Sequence, residues 1–221
     1  MSRLDLATRV VGVGLAVALL ALDHAAQATA DTVVPLPGGD LTQTLSDGTV
    51  VQVRLDGESA DINPSLGATP LHRNAWVSGT AHLDISADST ATGGKIYPGY
   101  TVGCQVDISG GGVDGSQNGS LDATGKPAVS GTGGGNLTLG PGQAQSFYLL
   151  DIEQPDDFGN EIHYTRNKFS GNSGSVAWSD ETIALNGCAG AATARAFVSV
   201  EVETDHVISW TTLWGKPFSL G

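Results

Sequence analysis

SGGGVDGSQNGSLDATGKPAVSGTGGGNLTLGPG, residues Ser109 to Gly142, is the stretch on which the reading of this chain turns. It is 34 residues long, 12 of them glycine, with no aromatic residue and three charges, Asp114, Asp122 and Lys126. The sequences around it carry Val, Ile, Trp and Tyr in strand-like runs, so the stretch alone cannot bury a core. Side chains of a strand alternate between two faces, so we split it by parity. On the first arm the even positions are Gly110, Gly112, Asp114, Ser116, Asn118 and Ser120. The odd ones are Gly111, Val113, Gly115, Gln117, Gly119 and Leu121. On the second arm Ala128, Ser130, Thr132, Gly134, Asn136 and Thr138 are even, against Val129, Gly131, Gly133, Gly135, Leu137 and Leu139. One face is hydroxyl, amide and carboxylate; the other is glycine and aliphatic, Gln117 excepted. Asp122–Pro127 between the arms has turn chemistry. Two readings stand. One is a long hairpin over 109–142 with a wet and a weakly apolar face, the alternation of a membrane β-barrel strand. The other is a Gly/Ser/Thr loop, favoured by the cost of glycine inside strands.

Outward from the stretch the chain is all-β. Tyr100–Ile108 runs into it with Tyr100, Val102, Cys104, Val106 and Ile108 on one face, and Ala144–Ile152 runs out with Phe147, Leu149 and Tyr148 inward. Leu41–Leu45 and Thr49–Leu55 flank Ser46-Asp47-Gly48, a hairpin signal. Val33–Gly39 reads as a loop or leader, Asp56–His72 as a loop, and Asn74–Ser86 as a strand. Gly93-Gly94 and Pro98-Gly99 are expected to break the chain around Ile96 and Tyr97. Glu153–Phe169 reads as a charged loop. Ser175–Trp178, Thr182–Asn186, Thr193–Glu203 and Asp205–Trp214 complete the strands. No segment has a helical period, and short strands between regular turns predict a β-sandwich.

Residues 1–30 read as a secretory signal peptide: Arg3 and Arg9, the apolar run Val10–Leu22, then Ala28-Thr29-Ala30 before Asp31. That run is too short to span a bilayer. The formal net charge of −13 argues against nucleic acid and is compatible with attracting cations. In an exported chain the two cysteines, Cys104 and Cys188, are expected to form a disulfide. They bracket the Gly-rich stretch. Catalytic motifs of the HExxH or GxSxG type are absent, and no enzyme or cofactor is expected. Asp151, Glu153, Asp156 and Asp157 are candidate oxygen ligands for calcium, set against a solvated acidic loop.

Three places resemble one family. They are Arg73-Asn74-Ala75-Trp76-Val77-Ser78-Gly79-Thr80-Ala81, Gly99-Tyr100-Thr101-Val102-Gly103-Cys104-Gln105-Val106, and the end of the chain. The end contributes Asn186-Gly187-Cys188-Ala189-Gly190, Arg195-Ala196-Phe197-Val198, and Ser209-Trp210-Thr211 to Trp214-Gly215-Lys216-Pro217-Phe218. In order and spacing the mature chain is similar to the MspA family of mycobacterial porins. The resemblance implies a β-sandwich subunit, residues 31–108 and 143–221, in an eightfold ring. Each subunit would lend hairpin 109–142 to a shared barrel that crosses the mycolate outer membrane and passes small hydrophilic solutes and cations. It also implies acidic residues at the hairpin tip. Counting from Gly99 makes Asp122 the constriction carboxylate, with Asp114 and Lys126 the other charges there. Lys126 departs from the family and would weaken cation preference. Segment 153–169 is longer and more acidic than the family leads one to expect, and would thicken the rim or touch another subunit. Thirteen residues at about 3.3 Å, tilted about 40°, project to roughly 33 Å, enough for a hydrocarbon core. Unpaired strand edges in lipid require ring closure, by copies of this chain or a related subunit. The competing reading is a secreted cell-wall β-sandwich that binds a ligand, with the stretch as its loop.

Overall fold

The computed structural model describes residues 32–64, 69–106 and 142–221, and the backbone of 120–121 and 127–128. The expected signal peptide and most of the Gly-rich stretch lie outside the described residues. In chain order the strands are β1 Thr32–Pro35, β2 Gly39–Thr44, β3 Val50–Pro64, β4 Arg73–Ile85 and β5 Gly93–Cys104. Then come β6 Ser120–Leu121, β7 Pro127–Ala128, β8 Ala144–Tyr148, β9 Ile152–Pro155, β10 Glu161–Tyr164 and β11 Asn167–Ser170. The last four are β12 Ser173–Leu185, β13 Ala192–Glu203, β14 Ile208–Trp214 and β15 Phe218–Ser219. All pairings among them are antiparallel, and no helix occurs among the described residues, so the all-β class holds.

Two sheets carry the core. One has the order β1-β3-β4-β12 with β2 also on β3; the other runs β11-β5-β13-β14 with β8 on β5 and β15 on β13. The period-two alternation read from the sequence appears as burial. Ala75, Val77, Ala81 and Leu83 of β4 face Tyr100, Val102, Ala194, Ala196, Val198 and Val200 of β5 and β13 in one buried cluster. The hairpin at Ser46-Asp47-Gly48 forms as expected. Leu45 N–H donates to Thr49 O at 2.8 Å, and Thr49 N–H to Asp47 Oδ1 at 3.0 Å.

Several expected loops are strands instead. Asp56–Pro64 continues β3, because one extra residue is absorbed where the pairing with β4 shifts between Asp56 and Ser59. Gly57 sits there at φ 62°, in the left-handed region that a bulge needs. Before it Val51, Val53 and Leu55 point inward; after it Glu58 and Ala60 do. The alternation slips by one, which is why the sequence reads as a loop. In the same way the expected strands 175–178 and 182–186 are one strand, β12, with a shift between Trp178 and Glu181 and Asp180 at φ 55°. Val33–Pro35, expected as loop or leader, pairs as an edge strand with β3, where Pro35 is tolerated.

β5 is unbroken because its glycines are needed for close packing. A Cβ on Gly99 would lie 2.3 Å from the Phe197 ring, and one on Gly94 2.9 Å from that of Phe169. Pro98 O accepts from Leu149 N–H at 3.0 Å. Its nitrogen therefore turns to the gap between β11 and β8, where no ladder donor is required. The expected strand 144–152 stops at Tyr148, and its buried residue is Ser146, bonded to Thr101 at 2.7 Å. The expected loop 153–169 is a hairpin of β9 and β10 followed by edge strand β11. Val106, expected inward, is exposed.

Candidate functional site at the root of the Gly-rich stretch

The Gly-rich stretch leaves the six-stranded sheet from β5 and re-enters it at β8, so the root of the stretch lies between neighbouring strands. Cys104 ends β5, and its disulfide to Cys188 closes a separation of 84 residues. Both cysteines are buried. The chain beyond Cys104 stays tied on one side: Gln105 N–H donates to Ala191 O at 3.0 Å, and Val106 O accepts from Ala189 N–H at 2.9 Å. Cys188 N–H donates to Leu71 O at 2.9 Å. On the other side Cys104 N–H donates to Gln143 O at 3.3 Å while Cys104 O accepts from Gly142 N–H at 3.2 Å. The root is therefore bonded on both sides, and the disulfide staples it to the same segment, Cys188–Ala191, that bonds it on the β13 side.

Of the residues predicted for a constriction, Asp114, Asp122 and Lys126 lie outside the described residues. On either side of 122–126, β6 and β7 pair antiparallel, Ser120 with Ala128 and Leu121 with Pro127. The predicted disulfide is present.

Of the candidate calcium ligands after the stretch, Asp151 and Glu153 come together and Asp156 does not join them. Asp156 closes its own turn: it accepts from Phe158 N–H at 2.9 Å and Asn160 N–H at 2.8 Å through Oδ1, and from Asn160 Nδ2 at 2.8 Å through Oδ2. These bonds, those of Asn160 first, hold its pKa below the usual range. Asp151 and Glu153 instead meet His163, with ligand atoms within 4.8 Å of one another. His163 faces Glu153 because β9 and β10 pair there, a juxtaposition invisible without the register. His163 Nδ1 already shares a 2.7 Å hydrogen bond with Asp151, which raises its pKa. A cation here would have to displace that bond.

The outer faces of the two sheets differ. On the five-stranded sheet Arg54 pairs with Asp84 at 3.1 Å and His82 with Asp56 at 3.8 Å, and Trp76 is exposed farther along β4, opposite Asp61. The six-stranded sheet carries rings: Tyr97 lies 5.2 Å from Trp210, Tyr148 5.7 Å from Phe197, and Phe197 5.6 Å from Trp214. Arg195 stacks over Trp214 at 4.1 Å. Lys95 and the Tyr97 hydroxyl both donate to Glu201, at 2.7 and 2.9 Å. Burial first, then the hydrogen bond to Glu201, pushes the Tyr97 phenol up.

One charge-bearing group is turned inward. Glu58, 2% exposed, has neither carboxyl oxygen hydrogen-bonded. Burial raises its pKa to about 7. Gly215 sits against it, since a Cβ there would lie 3.1 Å from Glu58 Oε2. The sequence does not flag Glu58, because the bulge that turns it inward is not legible as one.

A family model described as MspA matches residues 47–219, a span that holds the six-stranded sheet, β3, β4 and β12 of the other, the root and the acidic hairpin. No curated protein matches the chain.

Proposed function

The chain belongs to the MspA family, and from that premise we propose a porin subunit that forms a water-filled channel without catalysis. Family membership carries a porin-type channel function and an oligomeric outer-membrane setting in general terms. The finer reading is ours. Eight copies of the chain form a ring in a mycolate outer membrane, and each lends residues 109–142 to one barrel. Small hydrophilic solutes and cations then diffuse through it. Asp122 is the constriction carboxylate, with Asp114 a second acidic position and Lys126 a counter-charge.

The observation that carries this reading is the pairing of β6 with β7. Sixteen residues past the stapled Cys104, Ser120 turns back to pair with Ala128. A loop without strand character gives no reason for a paired hairpin tip so far from its root.

The test is planar-bilayer recording on the oligomer purified in detergent. Discrete conductance steps are expected, with more cations than anions passing. A chain that stays monomeric and gives no steps removes the channel reading. Asp122→Asn should lower cation selectivity, and Lys126→Gln should raise it. Unchanged selectivity in both removes the tip from the constriction.

A further inference from the structure

We propose that the β9–β10 hairpin is a clasp by which one copy of the chain holds the next, seated on the outer face of that neighbour's β14. The inference deepens the ring reading above and rests on it. β9 and β10 pair with each other and with no other strand among the described residues. A two-stranded ribbon alone is marginally stable at best in water, so this one gains from being covered. Its register gives it two unlike faces. Directly opposed residues share a face. Tyr164 stands opposite Ile152 and Ile162 opposite Gln154, whereas His163 stands opposite Glu153 and Glu161 opposite Pro155. One face is therefore largely apolar and the other acidic. Ile152 and Ile162 are 37% and 48% exposed, and Phe158 at the tip is 90% exposed. The tip is held in shape, because Asp156 accepts from Phe158 N–H and Asn160 N–H. Exposed apolar side chains rimmed by polar ones mark an interaction site, and an ordered aromatic at its tip is suited to be the anchor.

The same chain carries a seat of matching chemistry. Along β14, Ile208, Trp210 and Trp214 are 64%, 43% and 42% exposed, alternating with the buried Thr211 and Leu213. Ribbon and seat belong to opposite sides of one sheet. The ribbon lies in the connection between β8 and β11, which both border β5 on one side, and β14 is the last strand on the other. Two different surfaces on opposite sides give a head-to-tail contact, the kind that closes into a ring. A two-fold dimer would need one patch that fits itself. The lengths agree. The seven residues of β14 span about 20 Å, and Ile152 to Phe158 spans at most about the same. Charge sets the direction. The ribbon carries Asp156 and Asp157 at its tip, and past its foot stand Lys168 and Arg166, the latter over the Tyr164 ring at 4.6 Å. On the seat Glu203 lies opposite Ile208, while Arg195 covers Trp214 and Lys216 follows it. Phe158 therefore goes to Trp214, with anions against cations, and Ile152 goes to Ile208, with cations against an anion. Among the described residues Asp157, Arg166, Lys168 and Lys216 form no ion pair within their own chain.

The test reads assembly apart from conduction. The full chain is assembled from unfolded monomer in detergent, its mass is followed by sedimentation, and the same samples go to planar bilayers. Phe158→Ser removes the anchor without touching the core, so the thermal transition should not move. The protein concentration at half-assembly should rise about tenfold or more. Asp157→Lys and Lys216→Asp should each raise it about threefold. The two together should return it to near wild type, because the exchanged charges face each other again. If Phe158→Ser assembles like wild type, the clasp is overturned. A double charge variant as weak as the product of the single ones also overturns it, since the two charges then do not meet. A wild-type oligomer that gives no conductance steps removes the channel reading and leaves the clasp standing. A wild-type chain that stays monomeric at every concentration overturns both.

Discussion

The bulge at Gly57 and the bulge at Gly142 use the same backbone device in opposite settings. Gly57 lies within a strand paired on both sides of the shift, with core above and below it. Gly142 lies at the edge of the core, where β8 gives way to the Gly-rich stretch. At Gly57 the slip keeps both ends of a 15-residue strand facing one core, and it turns Glu58 into that core. At Gly142 the slip closes the pairing of β5 with β8 and leaves the inward set of the sandwich unchanged. One bulge decides which side chains enter the core; the other stands where the core ends.

Deleting each glycine breaks the comparison most directly. Without Gly57 either Gln52 and Arg54 or Ser59 and Asp61 must turn inward, and an unpaired charge enters the core. That cost is on the order of the whole stability of a domain, about 5–15 kcal/mol, so the chain is expected to be insoluble or unfolded by circular dichroism. The Gly142 deletion should keep its thermal transition. If both deletions unfold the chain, the root bulge belongs to the folding machinery and the division drawn here fails.

The next effect belongs to the staple between the two settings. Replacing both cysteines, Cys104→Ser with Cys188→Ser, opens an 84-residue separation. The loop-entropy relation puts the loss at up to about 4.6 kcal/mol. Urea titration should show the loss in the sandwich itself, because both cysteines are buried with the core. A loss below about 1 kcal/mol would mean that the hydrogen bonds at the root hold the closure alone.

These cases also mark what was legible in the chain. Where alternation runs without a slip, as in Arg73–Ile85 and Ala192–Glu203, the strand is readable. Where a left-handed residue moves the phase by one, the pattern looks like a loop, and Asp56–Pro64 and Ser173–Leu185 were misread for that reason. Gly94 and Gly99 misled in the other direction: their role is close packing against Phe169 and Phe197, which no local pattern reveals. At the root the cysteines were readable from export and number. The bulge was not, because it exists only in the pairing of Cys104 with two residues that follow 38 and more positions later. His163 joined Asp151 and Glu153 through cross-strand register for the same reason.

The Gly57 bulge has a chemical consequence that the root bulge lacks. The Tyr100 hydroxyl and the Trp178 indole N–H are buried in the same interior as Glu58, and burial first, then the Glu58 charge, raises the Tyr100 pKa. Folding raises the Glu58 pKa from 4.5 to about 7 through burial, so between those values the folded chain binds the proton more than the unfolded one. Stability attributable to this group is therefore highest below about pH 4.5, is lost as pH rises toward 7, and is level above. The full span is on the order of 2–3 kcal/mol. Glu58→Gln should match wild type near pH 4.5 and exceed it by about that amount at pH 8, measured as the difference between urea curves. A difference that does not change with pH would place the Glu58 carboxylate in contact with water.

The smallest effect is the most diagnostic of the shared device. Gly57 and Gly142 have φ of 62° and 71°, and a Cβ on either would meet nothing within 4 Å. Alanine at each position therefore carries only the left-handed backbone cost of about 1 kcal/mol. At Gly57 the bulge cannot open without unfolding the strand, so Gly57→Ala should lower global stability by about that amount. At Gly142 the root can relax while the sandwich stays folded. Gly142→Ala should then leave the global value within about 0.3 kcal/mol and appear instead as faster amide exchange at Cys104, whose N–H crosses the bulge. Equal global losses would show that the root opens only when the whole sandwich does. The root bulge would then be as rigid as the core beside it.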